Sequence, residues 1–305
     1  MSAPRVLRSM LFVPSNNWRM LMGSGKEGAD AVIPDLEDAV PIGEKETGRV
    51  FARDSIDSIK GEGPDVFVRV NGIATGLTTE DIKAVVCKDL DGIMLPKVES
   101  KEDVLQLDAS IAEEENAKRL KPGTLSIIPL LETAKGILNA YEIAVSSKRV
   151  IALSFGAADF LRDLGRSHTT VAPDEMELLY PRSHIAIAAK SAGILAIDTP
   201  FFGLIIDDEG LIHESKIALQ LGFKGKMVIH PKHISFVNQV FTPSQEDINY
   251  AERVIRTYED AAAHGLGAAS LEGKMIDYAT YKMAEELNSI SKVITEKEKR
   301  KSKVT

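Results

Sequence analysis

Eight short apolar runs punctuate the chain, and nearly every one ends in a charged or polar residue. They cover residues 8–14, 31–35, 66–71, 92–97, 125–133, 150–159, 194–199 and 227–231. Between them lie stretches of helical composition. A strand-length apolar run followed by a helix, repeated eight times, predicts an α/β fold, a (β/α)8 TIM barrel. In such a barrel the residues just past the strand ends line the active site. Here those residues are Asp35, Glu37, Asp38, Arg69, Lys97, Glu132, Asp159, Asp198 and His230. An uncompensated buried charge is costly, so chance strand closure does not account for a set of this size. The pattern is that of an enzyme.

Local signals fill in the elements. Pro34 lacks a ladder donor and fits best at the end of its strand. Residues 44–59 read as an outer helix, and Thr79, Glu80 and Asp81 open another with acidic residues at its positive end. Ser100 with Asp103 three residues later is a helix start, and Pro122-Gly123 is a turn. Pro173-Asp174 precedes a long helix over 175–192, closed by Gly193, whose Ile185, Ile187, Ala188 and Ala189 stripe reads as core. After the eighth strand, Ser244 caps a helix to about residue 264. Gly265 and Gly267 then break the chain before a segment over 268–277 and a last helix over 278–290. The expected division is a catalytic barrel over 1–240 and a C-terminal helical extension over 241–305. The extension carries a lid segment and a basic tail at 297–303.

Composition narrows the partners. The 305 residues are 44% apolar with a formal net charge of −8, which argues against nucleic acid or an anionic membrane as partner. Cys87 is the single cysteine, so neither an intrachain disulfide nor a cysteine-based zinc site is available. No apolar run approaches the length of a membrane span, and the first residues lack a secretory pattern. A reducing, cytoplasmic setting is the expectation.

Glu132 and Asp159 end consecutive predicted strands and so sit side by side at the barrel mouth. Two carboxylates without cysteine or clustered histidine suit a hard cation, Mg²⁺, which completes its shell with water and substrate oxygens. The bland alternative is a pair of caps on the following helices. Gly156, Ala157 and Ala158 form a small-residue turn whose backbone N–H groups can approach a carboxylate. Arg69 can clamp an anionic substrate at two points, or instead brace the loops through Glu37 or Asp38. Those two acids are candidate catalytic carboxylates. Lys97 reads either as a Schiff-base lysine or, beside a cation, as a structural charge. A cation, an arginine and a nest of amides together describe a site for a 2-oxo acid and for aldol or Claisen chemistry.

Several ordered segments carry a resemblance. They are Arg8-Ser9-Met10-Leu11-Phe12-Val13-Pro14, Asp35-Leu36-Glu37-Asp38-Ala39-Val40, Val68-Arg69-Val70-Asn71, Leu95-Pro96-Lys97-Val98-Glu99, Leu131-Glu132-Thr133-Ala134-Lys135-Gly136, Phe155-Gly156-Ala157-Ala158-Asp159-Phe160 and Val228-Ile229-His230-Pro231. Together the chain resembles the citrate lyase beta-subunit family within the HpcH/HpaI aldolases, with malyl-CoA and citramalyl-CoA lyases as relatives. The resemblance implies a Mg²⁺-dependent carbon–carbon lyase acting on an acyl thioester, with an acyl-CoA and a 2-oxo acid as small-molecule partners. It implies Glu132 and Asp159 as metal ligands that also meet the substrate, and Arg69 at the oxo-acid end. Ala158 and Asp159 supply backbone amides to that end, and Ile229 and His230 contact the CoA arm. Gly273-Lys274-Met275-Ile276-Asp277 is similar to a C-terminal motif whose aspartate serves a neighbouring subunit's site as acid or base. That makes Asp277 a catalytic candidate and implies a homo-oligomer, a trimer or hexamer.

The chain departs from this pattern at Ser15, where the family has glycine. It departs also at Asn17 and near Gly23, where malyl-CoA lyases use arginine and lysine on the nucleotide; Arg19 or Lys26 are the available substitutes. Other readings of the same residues are a citryl-carrier-protein lyase, a CoA-independent class II aldolase and a catalytically idle 2-oxo-acid binding protein.

Overall fold

The computed structural model describes residues 5–166, 171–172 and 174–301. Eight parallel strands close into a barrel in chain order: β1 (Ser9–Pro14), β2 (Ala31–Asp35), β3 (Asp65–Arg69), β4 (Gly92–Leu95), β5 (Ser126–Leu131), β6 (Ala152–Phe155), β7 (Leu195–Asp198) and β8 (Gly225–Val228). β8 pairs back onto β1 through Ser9 with Lys226 and Met10 with Met227. Each predicted run overlaps one of these strands, and β2 matches to the residue. β8 begins earlier than its run, because Gly225 and Lys226 belong to the strand. Gly225 is required there: a Cβ would lie 1.8 Å from the Leu7 carbonyl oxygen.

The strands are apolar on both faces because both faces are covered. β2, β4, β5 and β8 are buried at every residue. Side chains such as Met10, Ile33, Phe67, Ile128 and Met227 fill the barrel interior. Pro34 lies within β2, opposite Val13 of β1. On the β3 side the register runs from Val32 with Val66 to Asp35 with Arg69. The missing proline donor therefore costs little, and Asp35 and Arg69 finish side by side.

The helices of the outer layer are α1 (Trp18–Ser24), α2 (Lys45–Gly61), α3 (Thr78–Val85), α4 (Lys101–Ala117), α5 (Ala134–Leu138), α6 (Ala140–Ala144), α7 (Ala157–Asp163), α8 (Met176–Ala192), α9 (Asp208–Leu221) and α10 (His233–Val240). The Asp103 carboxylate accepts the N–H groups of Glu99 and Ser100, both at 2.9 Å, as the sequence predicts for the start of α4. Gly193 ends α8 at φ 73°. Pro173, which the sequence places before α8, lies outside the described residues, as does Lys303 in the basic tail. One expectation for α8 fails. Ile185, Ala188 and Ala189 are buried, but Ile187 is 70% exposed. Two residues from Ile185 is about 200° around a helix, so both cannot share one face.

The segment from Phe241 onward groups with the first residues as a second compact unit, distinct from the barrel over Leu7–Val240. In it Ser244 caps α11 (Gln245–Ala263), accepting the Asp247 N–H at 3.1 Å. A hairpin of β9 (Ala269–Leu271) and β10 (Lys274–Ile276) follows. Its turn is made by Glu272 and Gly273, both left-handed at φ 52° and 78°. α12 (Tyr278–Lys301) closes the unit, longer than the 278–290 helix predicted. Ala251, Val254, Ile276 and Ala284 form its small core. Among the described residues no helix is long and apolar enough to cross a membrane.

Candidate active site

The barrel mouth holds a cavity of about 500 Å³. Its polar wall is Asp35, Asp38, Arg69, Glu132, Asp159 and the turn at Gly156 and Ala158. Its apolar wall includes Phe12, Leu130, Phe201, Phe202, Met227 and Ile229. Contributions come from the ends of β1, β2, β3, β5, β6, β7 and β8, as barrel geometry requires.

Arg69 ends β3 and is gripped by Asp35: Nε donates to Oδ1 at 2.7 Å and Nη2 to Oδ2 at 2.6 Å. Its Nη1 lies 3.1 Å from Glu37 Oε2, and its guanidinium stacks 4.6 Å above the Phe12 ring. Burial works against the charge, but Asp35 outweighs it and holds the pKa above the ordinary arginine value. The bracing partners are thus Asp35 and Glu37. Asp38 is instead 3.9 Å from Lys97 Nζ and is largely exposed. Asp35 is itself fixed, accepting the N–H groups of Glu37 at 3.0 Å and Ala39 at 3.2 Å. Lys45 ties the same loop by donating to the carbonyls of Leu36 and Glu37.

Glu132 follows β5 and is buried. Its Oε1 accepts the Lys97 N–H at 2.9 Å, presented by the left-handed backbone of Lys97 at φ 54°. Its other oxygen packs where Gly156 has no side chain: a Cβ on Gly156 would sit 2.5 Å from Oε2. Burial, then the charges of Glu37 and Asp159, push Glu132 up to about 8. Burial also raises Glu37 against the pull of Arg69 and Lys97.

The Lys97 ammonium donates to Glu37. Burial lowers its pKa, but the bond and charge of Glu37 outweigh that and hold it above the ordinary lysine value. A Schiff-base lysine is favoured by the opposite shift, whereas the contact with Glu37 suits a structural or electrostatic role.

Asp159 does not end a strand. β6 stops at Phe155, and Asp159 sits in the first turn of α7, where Arg162 Nη2 lies 2.5 Å from its Oδ1. The short strand run 150–159 thus covers both a strand and a helix start. Asp198 is a second correction. It is fully buried and turned toward the helical layer, accepting from Arg182 Nε at 2.9 Å and Lys226 Nζ at 2.7 Å. Glu214 and Glu175 complete that buried charge cluster. It belongs to the wall behind the site, not to the cavity. His230 is beside the mouth rather than in its lining, with Nδ1 accepting the Lys232 N–H at 3.1 Å, whereas Ile229 lines the cavity and is 59% exposed. Thr199, overlooked in the sequence, borders the cavity directly after β7.

Residues 8–231 match the model of the HpcH/HpaI aldolase/citrate lyase family. The chain belongs to that family. Its relatives are named lyases, and it is a carbon–carbon lyase of the same kind. It is 39% identical over 277 residues to the citrate lyase subunit beta of Leuconostoc mesenteroides subsp. cremoris, covering 91% of this chain and 90% of that one. It is 33% identical over 296 residues to an L-malyl-CoA/beta-methylmalyl-CoA lyase of Cereibacter sphaeroides, covering 91% and 92%. Among solved structures, it is similar to CitE from Mycobacterium tuberculosis in complex with magnesium, acetoacetate and coenzyme A. That likeness has a TM-score of 0.74 at 29% identity and covers 95% and 99% of the two chains.

Proposed function

We propose that the protein is a Mg²⁺-dependent lyase that cleaves a 3-hydroxyacyl-CoA, citramalyl-CoA or malyl-CoA, into acetyl-CoA and a 2-oxo acid. The observation that carries this reading is Glu132. A carboxyl pushed up to about 8 by burial first, and then by the charges of Glu37 and Asp159, stands where a positive charge would be stabilising. A divalent cation relieves that stress, and the donors present are hard oxygens. Among the described residues no third His, Cys, Asp or Glu is grouped with them as a metal site, which suits an ion that keeps water and substrate oxygens in its shell. Glu132 and Asp159 would hold it. Bound there, Mg²⁺ supplies Lewis-acid polarisation of the oxo-acid oxygens.

The chain's own residues do the rest. Arg69, held by Asp35, and the backbone amides of Ala158 and Asp159 take the carboxylate of the oxo-acid half. In cleavage the 3-hydroxyl loses its proton, the bond between the carbinol carbon and the thioester α-carbon breaks, and its electron pair stays on the α-carbon. Asp38 on the cavity wall and Glu37 behind it are the barrel's acceptors for the hydroxyl proton. Asp277, from a neighbouring subunit of a homo-oligomer, protonates the α-carbon to give acetyl-CoA. Ile229 and His230 lie where the CoA arm leaves the mouth.

The apolar wall of Phe12, Leu130, Phe201, Phe202, Met227 and Ile229 favours a methyl-bearing or unsubstituted oxo acid over one with a second carboxymethyl arm. The higher identity to a citrate lyase subunit favours a second reading, cleavage of a citryl thioester on a carrier protein. One assay separates them. The purified protein is incubated with Mg²⁺ and malyl-, citramalyl- and citryl-CoA and with a citryl-carrier-protein thioester, and free oxo acid is read. Release from the first two is the expected result. Release only from a citryl-carrier-protein thioester supports the second reading, and no release from any ester overturns both.

A further inference from the structure

Thr199 is fully buried at the end of β7 and borders the cavity. Its Oγ1 accepts the backbone N–H of Ala157 at 3.2 Å. Ala157 is the first residue of α7 and equally buried, so this N–H has neither an intrahelical acceptor nor water to turn to. One residue earlier, the Gly156 N–H donates to the Leu131 carbonyl at 2.9 Å. The turn is therefore pinned at two adjacent amides. One pin runs to the strand that delivers Glu132, the other to Thr199, and Asp159 projects from the same turn two residues on.

Thr199 is itself anchored. The preceding Asp198 is locked by Arg182 from α8 and by Lys226 from β8, all three essentially without solvent exposure. The end of β7 cannot drift without separating buried charges, which is strongly unfavourable.

We propose that Thr199 is a positioning residue for the cation-binding pair: its hydroxyl oxygen, by holding the Ala157 amide, sets where Asp159 stands relative to Glu132. The inference rests on the reading of those two carboxylates as Mg²⁺ ligands. Residues one step behind metal ligands typically change metal affinity by about 10- to 100-fold when replaced. A purely structural role would lower the melting temperature and leave affinity in the folded protein alone.

The test is isothermal titration of the whole protein with Mg²⁺, together with kcat and KM, on Thr199→Val, Thr199→Ala, Thr199→Ser and Asp159→Ala. Valine keeps the shape and loses the acceptor, while serine keeps the acceptor. Mg²⁺ affinity should fall about tenfold or more in the valine and alanine variants, with serine within about twofold of the parent. The loss should appear in kcat more than in KM. Unchanged affinity in folded Thr199→Val overturns the proposal. If valine does not fold, equal affinities in the alanine and serine variants overturn it, and failure of both valine and alanine to fold assigns the contact to the fold and also overturns it. Asp159→Ala separates the two levels. If it still binds Mg²⁺, the metal reading falls; if it does not while Thr199→Val binds normally, only the positioning role falls.

Discussion

Asp35 and Arg69 are register partners at the ends of adjacent strands, and their side chains meet in a two-point ion pair of 2.7 and 2.6 Å. The pair uses two of the five guanidinium donors, so it orients the arginine while leaving others for an anion. Asp35→Asn should leave Arg69 folded but loosely aimed. We expect KM for the oxo acid in the reverse, condensing direction to rise about tenfold, with a stability loss of about 3 kcal/mol from the broken buried pair. Steady-state kinetics and thermal melts check both, and an unaltered KM would show that Arg69 does not bind the oxo acid.

Gly156 is the position where an added methyl group collides with a candidate ligand. A Cβ would meet Glu132 Oε2 at 2.5 Å and Glu132 Cβ at 2.8 Å. The second contact is close to the backbone and cannot be relieved by a rotamer change. Gly156→Ala should displace Glu132 and weaken Mg²⁺ binding about tenfold or more. Calorimetry on a folded Gly156→Ala protein that binds Mg²⁺ normally would remove Glu132 from the ligand set.

Glu132 makes stability and cation binding depend on pH in opposite senses. Its folded pKa, near 8, lies above the unfolded carboxyl value of 4.5. The metal-free fold therefore takes up the proton more readily than the unfolded chain. Its contribution to stability is fully present below pH 4.5 and is lost as pH rises through 8. Glu132→Gln should raise the melting temperature of the metal-free protein at pH 9 and abolish Mg²⁺ binding. In the parent protein, Mg²⁺ binding at pH 7 should release close to one proton, and at pH 9 almost none. Titrations in buffers of differing ionisation enthalpy measure this directly.

The barrel was legible because its signal is local. Apolar runs of strand length, such as Ala31–Asp35, need no distant partner to be recognised. The polar residues closing them were legible too, but their direction was not. Asp198 looks like Glu132 in sequence, yet it turns outward to Arg182 and Lys226, 16 and 28 residues away. A buried lysine inside β8 is readable only once those acids are known, which is why that strand was expected to begin later. The sequence places Asp159 on a strand because Ala157 and Ala158 continue the apolar run, although the chain turns into α7 directly after Gly156. Thr199 carried no signal at all, since a threonine after a strand is ordinary until Ala157 is seen to donate to it.

Asp277 caps a helix, and the proposed lyase reaction would give the same side chain a second role. Its Oδ1 accepts both the backbone N–H and the hydroxyl of Thr280 at 2.8 Å, which makes it the cap of α12. Those bonds hold its carboxyl below the usual carboxylate range. A general acid must carry a proton, so if Asp277 serves the lyase reaction it must leave this cap or be recharged from solvent. Asparagine and alanine separate the roles. Asparagine caps a helix as well as aspartate does, whereas alanine costs roughly 1 kcal/mol. Asp277→Asn should therefore melt like the parent protein and bind Mg²⁺ normally, yet lose about a hundredfold or more in kcat. Asp277→Ala should lose the same rate and also melt lower. Mixing Asp277→Asn with Arg69→Ala protein then asks whose aspartate serves which site. Oligomers formed from both should regain activity if Asp277 acts on a neighbouring subunit, because some sites then combine an intact Arg69 with an intact Asp277. Absence of any recovery in demonstrably mixed oligomers would confine Asp277 to its own chain, and a normal kcat in Asp277→Asn would leave it as a helix cap alone.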